Sequence, residues 1–175
     1  MTWTQVSTRL LHPGRFISLR QDTVTGPDGV RGTYDHVEVE DGVRVVAIDG
    51  QGYVALVEDH FYLQQQRLLH LPGGGTGGQN PSQAALRELQ EETGLHADDV
   101  DPLGVIDPLP GVTAARTHLY LATSLRLGTV NREPTESGMR VHRMTLGEAV
   151  EAVRAGRVSE AGSVTALLLA ELRLR

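Results

Sequence analysis

The chain contains neither cysteine nor lysine, and each absence excludes a class of chemistry. Without cysteine there is no disulfide, no thiol nucleophile and no thiolate metal site. Without lysine there is no amine for Schiff-base chemistry, and a Walker-type phosphate loop is excluded because that motif requires lysine. All 16 basic residues are therefore arginine.

Long apolar runs are also missing. No stretch approaches the length of a membrane span, and the N-terminus shows no signal-peptide pattern, so we expect a cytoplasmic protein without membrane contact. The net charge is −6, and the arginines form no basic run. Such a chain is a poor candidate for binding the nucleic-acid backbone. A length of 175 residues predicts one domain with a substantial core.

The most informative feature that is present is a group of three acidic residues, Glu88, Glu91 and Glu92. Spacings of three and four residues put all three carboxylates on one face of a helix, where they repel one another. A hard divalent cation such as Mg²⁺ or Mn²⁺ would offset that repulsion, and such an ion usually shares its site with phosphate. The alternative is an ordinary solvated acidic face, which needs no metal.

The flanking residues predict the ends of this helix at residues 81–93. Asn80 is a favourable N-cap, Pro81 suits the first helical position, and Gln83 lies three residues after the cap, as in a capping box. Gly94 stands where a glycine commonly ends a helix. Within the helix, Arg87 lies four residues before Glu91 and can brace its carboxylate.

A glycine-rich loop at residues 73–78 precedes the helix. Loop and helix together resemble the signature of the Nudix hydrolases, G-x5-E-x7-R-E-U-x-E-E-x-G-U, in which U is aliphatic. All fixed positions but one agree: Gly73, Arg87, Glu88, Leu89, Glu91, Glu92, Gly94 and Leu95. The loop also fits the dinucleotide pattern G-x-G-x-x-G, but a lone match is weak without a βαβ unit and a later acidic residue.

Beyond the signature, the chain is most similar to the ADP-ribose pyrophosphatase branch of that family. Four positions differ from the usual pattern. Gln79 replaces the first glutamate of the signature, His70 replaces a glutamate before the Leu-Pro turn, Phe61 replaces an arginine, and Ala115 replaces an acid. The first difference keeps a carbonyl oxygen and removes a charge.

The order of predicted elements suggests an α/β protein with a Nudix-type α/β/α sandwich. Extended segments are expected at residues 14–22 and 31–39, and a hairpin is expected from Arg44–Ile48 and Tyr53–Glu58. Further strands precede the glycine loop and follow the helix, and helices are expected at 145–155 and 162–174. The resemblance implies a mixed sheet and extra N-terminal antiparallel strands. We expect a single domain, with residues 1–42 as the N-terminal strand extension and 43–175 as the core.

The resemblance also implies an activity: hydrolysis of the pyrophosphate bond of a nucleoside diphosphate derivative, with ADP-ribose or a nucleotide sugar favoured. The three glutamates would hold Mg²⁺ or Mn²⁺. Gly73, Gly74 and Gly75 would offer backbone amides to the substrate. His70 could contact phosphate or metal, but its position favours a structural histidine at a strand end. Relatives in this branch are typically homodimers.

The general base is the least determined of the expected residues. In the branch it is often a glutamate on a loop before the last strand, which here implies Glu136 first and Glu133 second. Both could equally be surface acids. A rival interpretation is a Nudix-fold module that binds or senses a nucleotide with little turnover. The four altered positions favour this interpretation, and the intact Arg-Glu-x-x-Glu-Glu core argues against it.

Overall fold

The structure is a computed structural model that describes residues 2–129 and 138–175. Its contacts divide the chain into two compact units. The N-terminal unit comprises residues 1–40 and 107–116, and the larger unit comprises residues 41–106 and 117–175.

The N-terminal unit is an antiparallel sheet of β1 (Thr4–Pro13), β2 (Ser18–Thr25) and β3 (Arg31–Glu38), in that order. The expected turn at residues 26–29 joins β2 to β3. The sequence prediction missed β1 and began β2 four residues too early. Every residue of β1 is exposed, so this strand carries no buried alternating face by which its pattern could be found.

The larger unit contains a mixed arrangement of strands. β4 pairs in parallel with β9, whereas β8–β9, β5–β6, β5–β11 and β7–β10 are antiparallel pairs. The strands are β4 (Gly42–Ala47), β5 (Tyr53–Phe61), β6 (Gln66–His70), β7 (Leu95–His96), β8 (Asp101–Ile106), β9 (Thr117–Ala122), β10 (Arg126–Leu127) and β11 (Arg140–Thr145).

The sequence predicted that β4 and β5 pair as a hairpin, and this prediction was wrong. The two strands are joined by the predicted tight turn at residues 49–52, but they share only the isolated bridge Ile48–Val54. Their ladders run to other strands, β4 to β9 and β5 to β6 and β11. Both strands are apolar on both faces because helices cover each side, and this pattern does not specify a hairpin partner.

Three helices occur among the described residues: α1 (Pro81–Thr93), α2 (Leu146–Arg154) and α3 (Ala161–Leu174). Buried residues of α1, including Leu89, pack with one face of the strands around Val43 and Val45. Helices α2 and α3 cover the opposite face around Leu56 and Leu119. This unit therefore has the expected three layers, with helices on both faces of strands.

The helix ends follow the sequence signals closely. Asn80 caps α1 by accepting a hydrogen bond from the Ser82 backbone nitrogen at 3.0 Å, and Gly94 ends the helix in the left-handed conformation with φ of 74°. The predicted capping box of Thr145 and Glu148 begins α2. Within the described residues, no helix combines the length and apolarity needed to cross a membrane.

Candidate catalytic site

Helix α1 places the carboxyl groups of Glu88 and Glu92 inward. Their exposed fractions are 8% and 2%, whereas Glu91 is half-buried. The neighbouring apolar stripe, with Leu89 fully buried, packs against the strands and turns this acidic edge toward the glycine loop. Burying a carboxylate is costly unless it is paired or hydrogen-bonded, so the partners of these side chains decide what the site can do.

Arg87 supplies the main counter-charge. Its Nη1 donates to Glu91 Oε2 at 2.8 Å, and its Nη2 lies 2.9 Å from Glu88 Oε1. Partial burial by itself would lower the pKa of the Arg87 guanidinium, but the carboxylates of Glu88 and Glu91 raise it above its ordinary value. We call Arg87, Glu88, Glu91 and Glu92 the α1 cluster. It holds one guanidinium among three carboxylates and has a formal charge of −2 when all four side chains are ionised.

The glycine loop is fixed to β4 and to the α1 cluster. Gly74 O accepts a hydrogen bond from the Val43 backbone nitrogen at 2.9 Å, and Gly75 O accepts from Arg87 Nη2 at 3.1 Å. Gly73 has φ of 149°, and a Cβ there would collide with Val43 O, so only glycine fits. A Cβ on Gly74 would lie 2.6 Å from Glu88 Oε1, which shows how closely this backbone approaches the carboxylate.

One of the three amides expected to meet a substrate is already engaged. The Gly73 backbone nitrogen donates to Glu92 Oε2 at 2.9 Å. This hydrogen bond holds the loop against the helix and satisfies part of the buried carboxylate. Gly73 therefore positions Glu92 in this structure.

The donor atoms of the α1 cluster, although not their spacing, suit a divalent cation. Its donors are carboxylate oxygens, which Mg²⁺ and Mn²⁺ prefer, and its excess negative charge matches one such ion. Among residues 2–129 and 138–175, however, no three His, Asp or Glu side chains are gathered closely enough to hold a metal. Arg87 and the Gly73 amide instead compensate the carboxylates, so their repulsion alone does not require an ion.

His70 lies at the end of β6, directly before the Leu-Pro turn, and is only 3% exposed. Its Nδ1 contacts Leu71 O at 2.9 Å, which requires Nδ1 to be the protonated nitrogen, and its Nε2 is buried without a partner among the described residues. Burial, aided by the charge of Arg44, lowers the pKa of His70. A neutral, enclosed imidazole suits a structural role better than phosphate binding.

Phe61 and His70, two of the positions that differ from the branch pattern, are in contact. The rings of Phe61 and His70 meet edge to face, with centroids 5.3 Å apart. In the resembling branch these positions usually carry an arginine and a glutamate. This chain therefore replaces two charged positions by an aromatic contact, which leaves no uncompensated charge in a buried place.

No sequence motif identified Asp41 as part of this region. Asp41 accepts a hydrogen bond from the Thr76 backbone nitrogen through its own backbone oxygen, and its Oδ2 lies 2.9 Å from His118 Nε2. Asp41 thus ties the glycine loop to β9, although no motif surrounds it.

The N-terminal unit contains a cavity of about 460 Å³. Trp3 and Tyr34 stand edge to face on its wall, with centroids 6.4 Å apart, and His36 Nε2 lies 3.4 Å from Asp22 Oδ2. The lining of the cavity comes from all three strands and the loop 110–114, so spacing along the sequence could not reveal it.

Glu133 and Glu136, the candidates for the general base, lie outside the described residues. Their assignment therefore stays a prediction.

A family model for the NUDIX domain matches residues 39–166. The chain belongs to the Nudix family. A second model, the nucleoside diphosphate sugar hydrolase N-terminal domain, matches residues 3–43 of this Nudix protein. The two matches together span nearly the whole chain.

Several named proteins are similar to this Nudix chain. An ADP-ribose pyrophosphatase of Mycobacterium tuberculosis (strain ATCC 25618 / H37Rv) is 32% identical over 166 residues, covering 93% of this chain and 80% of the relative. An ADP-ribose pyrophosphatase of Bacillus subtilis (strain 168) is 27% identical, covering 91% and 88%. A methanol dehydrogenase activator of Bacillus methanolicus is 26% identical, covering 96% and 92%.

Among solved structures, one described as an ADP compounds hydrolase superposes with a TM-score of 0.85. It covers 99% of this chain and 95% of its own, at 19% identity. At that identity the likeness concerns the fold, which is the Nudix fold expected from the sequence.

Proposed function

We propose that this chain hydrolyses the pyrophosphate bond of a nucleoside diphosphate derivative, with ADP-ribose or a nucleotide sugar as the favoured substrate. Membership of the Nudix family and the likeness to two ADP-ribose pyrophosphatases support a pyrophosphohydrolase. The match to a nucleoside diphosphate sugar hydrolase N-terminal domain supports the same class of substrate. The observation that carries the proposal is the α1 cluster, whose carboxylates outnumber its guanidinium and lie against the glycine loop.

In this proposal Glu88, Glu91 and Glu92 are the ligands of a divalent cation, Mg²⁺ or Mn²⁺. Such an ion, when bound, neutralises phosphate oxygens and lowers the pKa of a coordinated water. Arg87 orients Glu88 and Glu91, and the Gly73 amide orients Glu92. The metal identity rests on the carboxylate chemistry of the site and on the general properties of the family.

The reaction consumes one water for each substrate. The water oxygen forms a bond to one phosphorus, the bond between that phosphorus and the bridging oxygen breaks, and the bridging oxygen leaves on the other phosphate. The proton removed from the water passes to a general base, for which Glu136 and then Glu133 are the candidates. Two phosphate monoesters result.

The second candidate function is a Nudix module that binds a nucleotide with little turnover. Two observations favour it: the signature glutamate is Gln79 here, and Glu92 is hydrogen-bonded to the loop. The relative named as an activator also shows that a protein of similar sequence can carry a regulatory name. Excess negative charge in the α1 cluster favours the hydrolase, because a pure binding module has no need for it.

A substrate panel distinguishes the two candidates. ADP-ribose and several nucleotide sugars are incubated with Mg²⁺ or Mn²⁺, and the released phosphate monoester is measured for the wild type and for Glu92→Gln. Glu151→Gln is the matched control, because it removes the same charge from an exposed position on α2. Turnover that disappears only in Glu92→Gln supports the hydrolase, whereas nucleotide binding without turnover in all three proteins supports the sensor.

A homodimer and a cytoplasmic location complete the proposal. Both are expectations taken from the sequence and from the resembling branch. Sedimentation velocity on the purified chain measures the first, and fractionation of the source cells measures the second.

A further inference from the structure

A cavity of about 390 Å³ lies in the larger unit, beside the C-terminal end of α1. Its wall is formed by Thr93 at the end of α1, by residues in and beside β4, β5 and β11, and by the segment 125–127. None of the described residues that line it belongs to the α1 cluster. The cavity is therefore separate from the candidate catalytic residues, and its lining indicates which kind of ligand it suits.

Small side chains leave this space open. Ala47 of β4 and Ala55 of β5 are the most deeply buried of the lining residues, at 0% and 7% exposed. At the rim, Leu127 and Val141 are 90% and 43% exposed. An apolar group in the cavity would remove part of these two side chains from water, which favours its binding.

Asp49, the acidic side chain among the described lining residues, is already compensated. Its Oδ1 accepts hydrogen bonds from the backbone nitrogens of Gln51 and Tyr53 at 2.9 and 3.0 Å. Its Oδ2 accepts from Arg143 Nη2 at 2.6 Å. The Arg143 side chain and the Tyr53 amide hold the pKa of this carboxyl below its ordinary value. A carboxylate with these partners offers little to a cationic ligand.

Arg143 brings a fixed guanidinium to the wall. Its guanidinium carbon lies 3.8 Å from the centroid of the Tyr53 ring, and its Nε and Nη2 donate to Asp49. Nη2 also donates to Gln51 Oε1 at 2.9 Å. These contacts fix the plane of the guanidinium. Within the described part of the chain, Nη1 has no hydrogen-bond partner, so it can serve a ligand.

Arg126 adds a second guanidinium at the rim. Its Nη1 donates to Asp98 Oδ2 at 3.0 Å, but the two side chains are 63% and 74% exposed. An ion pair in water contributes about 1 kcal/mol or less, so Arg126 can exchange Asp98 for another anion. Two guanidiniums and one carboxylate give the wall a formal charge of +1 with its histidine neutral. The cavity therefore combines an apolar interior with a positive edge.

We propose that this cavity binds a small carboxylate with a compact apolar body, of the class of aromatic acids. The body lies against Ala47 and Ala55, and the carboxylate meets Arg126 and Arg143 Nη1. A carboxylate presents two oxygens in one plane, which match the planar donors of a guanidinium. A nucleotide fits less well, because a mostly apolar wall would leave its ribose and phosphate oxygens without partners. The site does not depend on the hydrolysis of any substrate.

The test measures binding of aromatic acids and their uncharged amides to the full chain. The probes are benzoate and 2-naphthoate, each compared with its amide, by calorimetry and by ¹⁵N-edited NMR. We expect 2-naphthoate to bind with a Kd of about 0.1–1 mM, which is usual for a ligand of this size. Its amide should bind about fivefold more weakly. Amide shifts should concentrate at residues 93–95, 125–127 and 141–143.

Two variants separate the charge from the space. Arg126→Gln should weaken 2-naphthoate about threefold to fivefold and leave its amide unchanged. Arg154→Gln is the matched control, because it removes the same charge from an exposed position on α2 and should change neither affinity. Ala55→Leu fills the interior and should abolish binding of both compounds. Circular dichroism and thermal unfolding establish that each variant is folded, and the two arginine variants carry the test if Ala55→Leu does not fold.

Several results would overturn this inference. One is equal affinity for the acid and its amide, and another is the same acid affinity in Arg126→Gln and Arg154→Gln. Amide shifts confined to other parts of the chain, or no binding of any probe at millimolar concentrations, also overturn it. Because the measurement is binding, a chain without hydrolase activity contradicts the proposed function and leaves this test unaffected.

Discussion

Two of the arginine–glutamate clusters in the larger unit differ in charge balance. The α1 cluster has three carboxylates to one guanidinium, and Gln79 adds an acceptor without charge. The second cluster, which we call the α3 cluster, consists of Arg44, Glu160 and Ser163. Arg44 Nε lies 3.0 Å from Glu160 Oε2, so its two charges cancel.

The α3 cluster is satisfied by its own residues. Glu160 caps α3 by accepting hydrogen bonds from the backbone nitrogens of Gly162 and Ser163 and from Ser163 Oγ, and Ser163 Oγ accepts from the Leu71 backbone nitrogen. Burial alone would raise the pKa of Glu160, but Arg44 and these donors lower it to about 2. A balanced cluster of this kind fixes a helix to the strands.

The net charge of a cluster distinguishes a structural ion pair from a candidate cation site. Both clusters bury carboxylates beside an arginine, so burial and pairing do not distinguish them. The remaining charge does: it is zero in the α3 cluster and −2 in the α1 cluster. By this criterion the α1 cluster is the candidate cation site of the two.

The largest predicted effect concerns activity and the α1 cluster. Glu92→Gln keeps the side-chain shape and removes one carboxylate, so we expect hydrolysis to fall by about a thousandfold, equivalent to about 4 kcal/mol of transition-state stabilisation. Unfolding by urea should show unchanged or slightly greater stability, because a like charge has been removed. If Glu92→Gln loses activity only because it unfolds, the contrast between a charged α1 cluster and a structural α3 cluster is contradicted.

The next effect tests whether position 70 tolerates a charge. His70→Glu places a carboxylate in a buried site beside Phe61, and we expect it to lower the free energy of unfolding by about 3–4 kcal/mol. The double variant with Phe61→Arg should recover a large part of this loss. Urea unfolding of both single variants and the double variant measures their coupling, and a coupling near zero shows that the two positions are independent.

A substitution in the α3 cluster should lower stability and leave activity nearly unchanged, which is the opposite of the effect expected for Glu92→Gln. Glu160→Gln leaves Arg44 without its carboxylate and weakens the cap of α3, so we expect a loss of about 2–3 kcal/mol in the free energy of unfolding. The kcat at a temperature where the variant is folded should stay within about threefold of wild type. A loss of kcat comparable to that of Glu92→Gln means that the α3 cluster is not merely structural.

The smallest effect is a dependence of stability on pH. The pKa of Glu160 is about 2 in the folded protein, below its ordinary value of 4.5, so its contribution is complete above pH 4.5 and is lost as the pH falls toward 2. Between pH 6 and pH 3 wild type should lose about 2 kcal/mol more than Glu160→Gln. Equal losses in urea titrations of the two proteins argue against the depressed pKa.

Local signals predicted the parts of the fold that local chemistry controls. Asn80 and Gly94 bounded α1 correctly, and Thr145 with Glu148 did the same for the start of α2. Strand pairing could not be obtained in this way. β4 joins β9 across about 70 residues, and the exposed β1 has no periodic face.

In the candidate site too, local spacing predicted some features and tertiary contacts decided the others. Spacing on one helix brought Glu88, Glu91 and Glu92 to one face, and the family signature identified the glycine loop. Spacing did not reveal that the Gly73 amide holds Glu92 or that Gln79 holds Arg87. It also did not reveal that Phe61 and His70 touch, because these contacts depend on the turn of the loop and the pairing of β5 with β6.

By itself the sequence determined the absence of thiol and lysine chemistry, the bounds of α1 and the gathering of three acids, because these depend on residue type and on the period of one helix. Tertiary structure alone decided which acids are buried and which donors meet them. Those outcomes depend on how loop, helix and strands pack, since a carboxylate distant from its donors in sequence meets them only after the chain has folded.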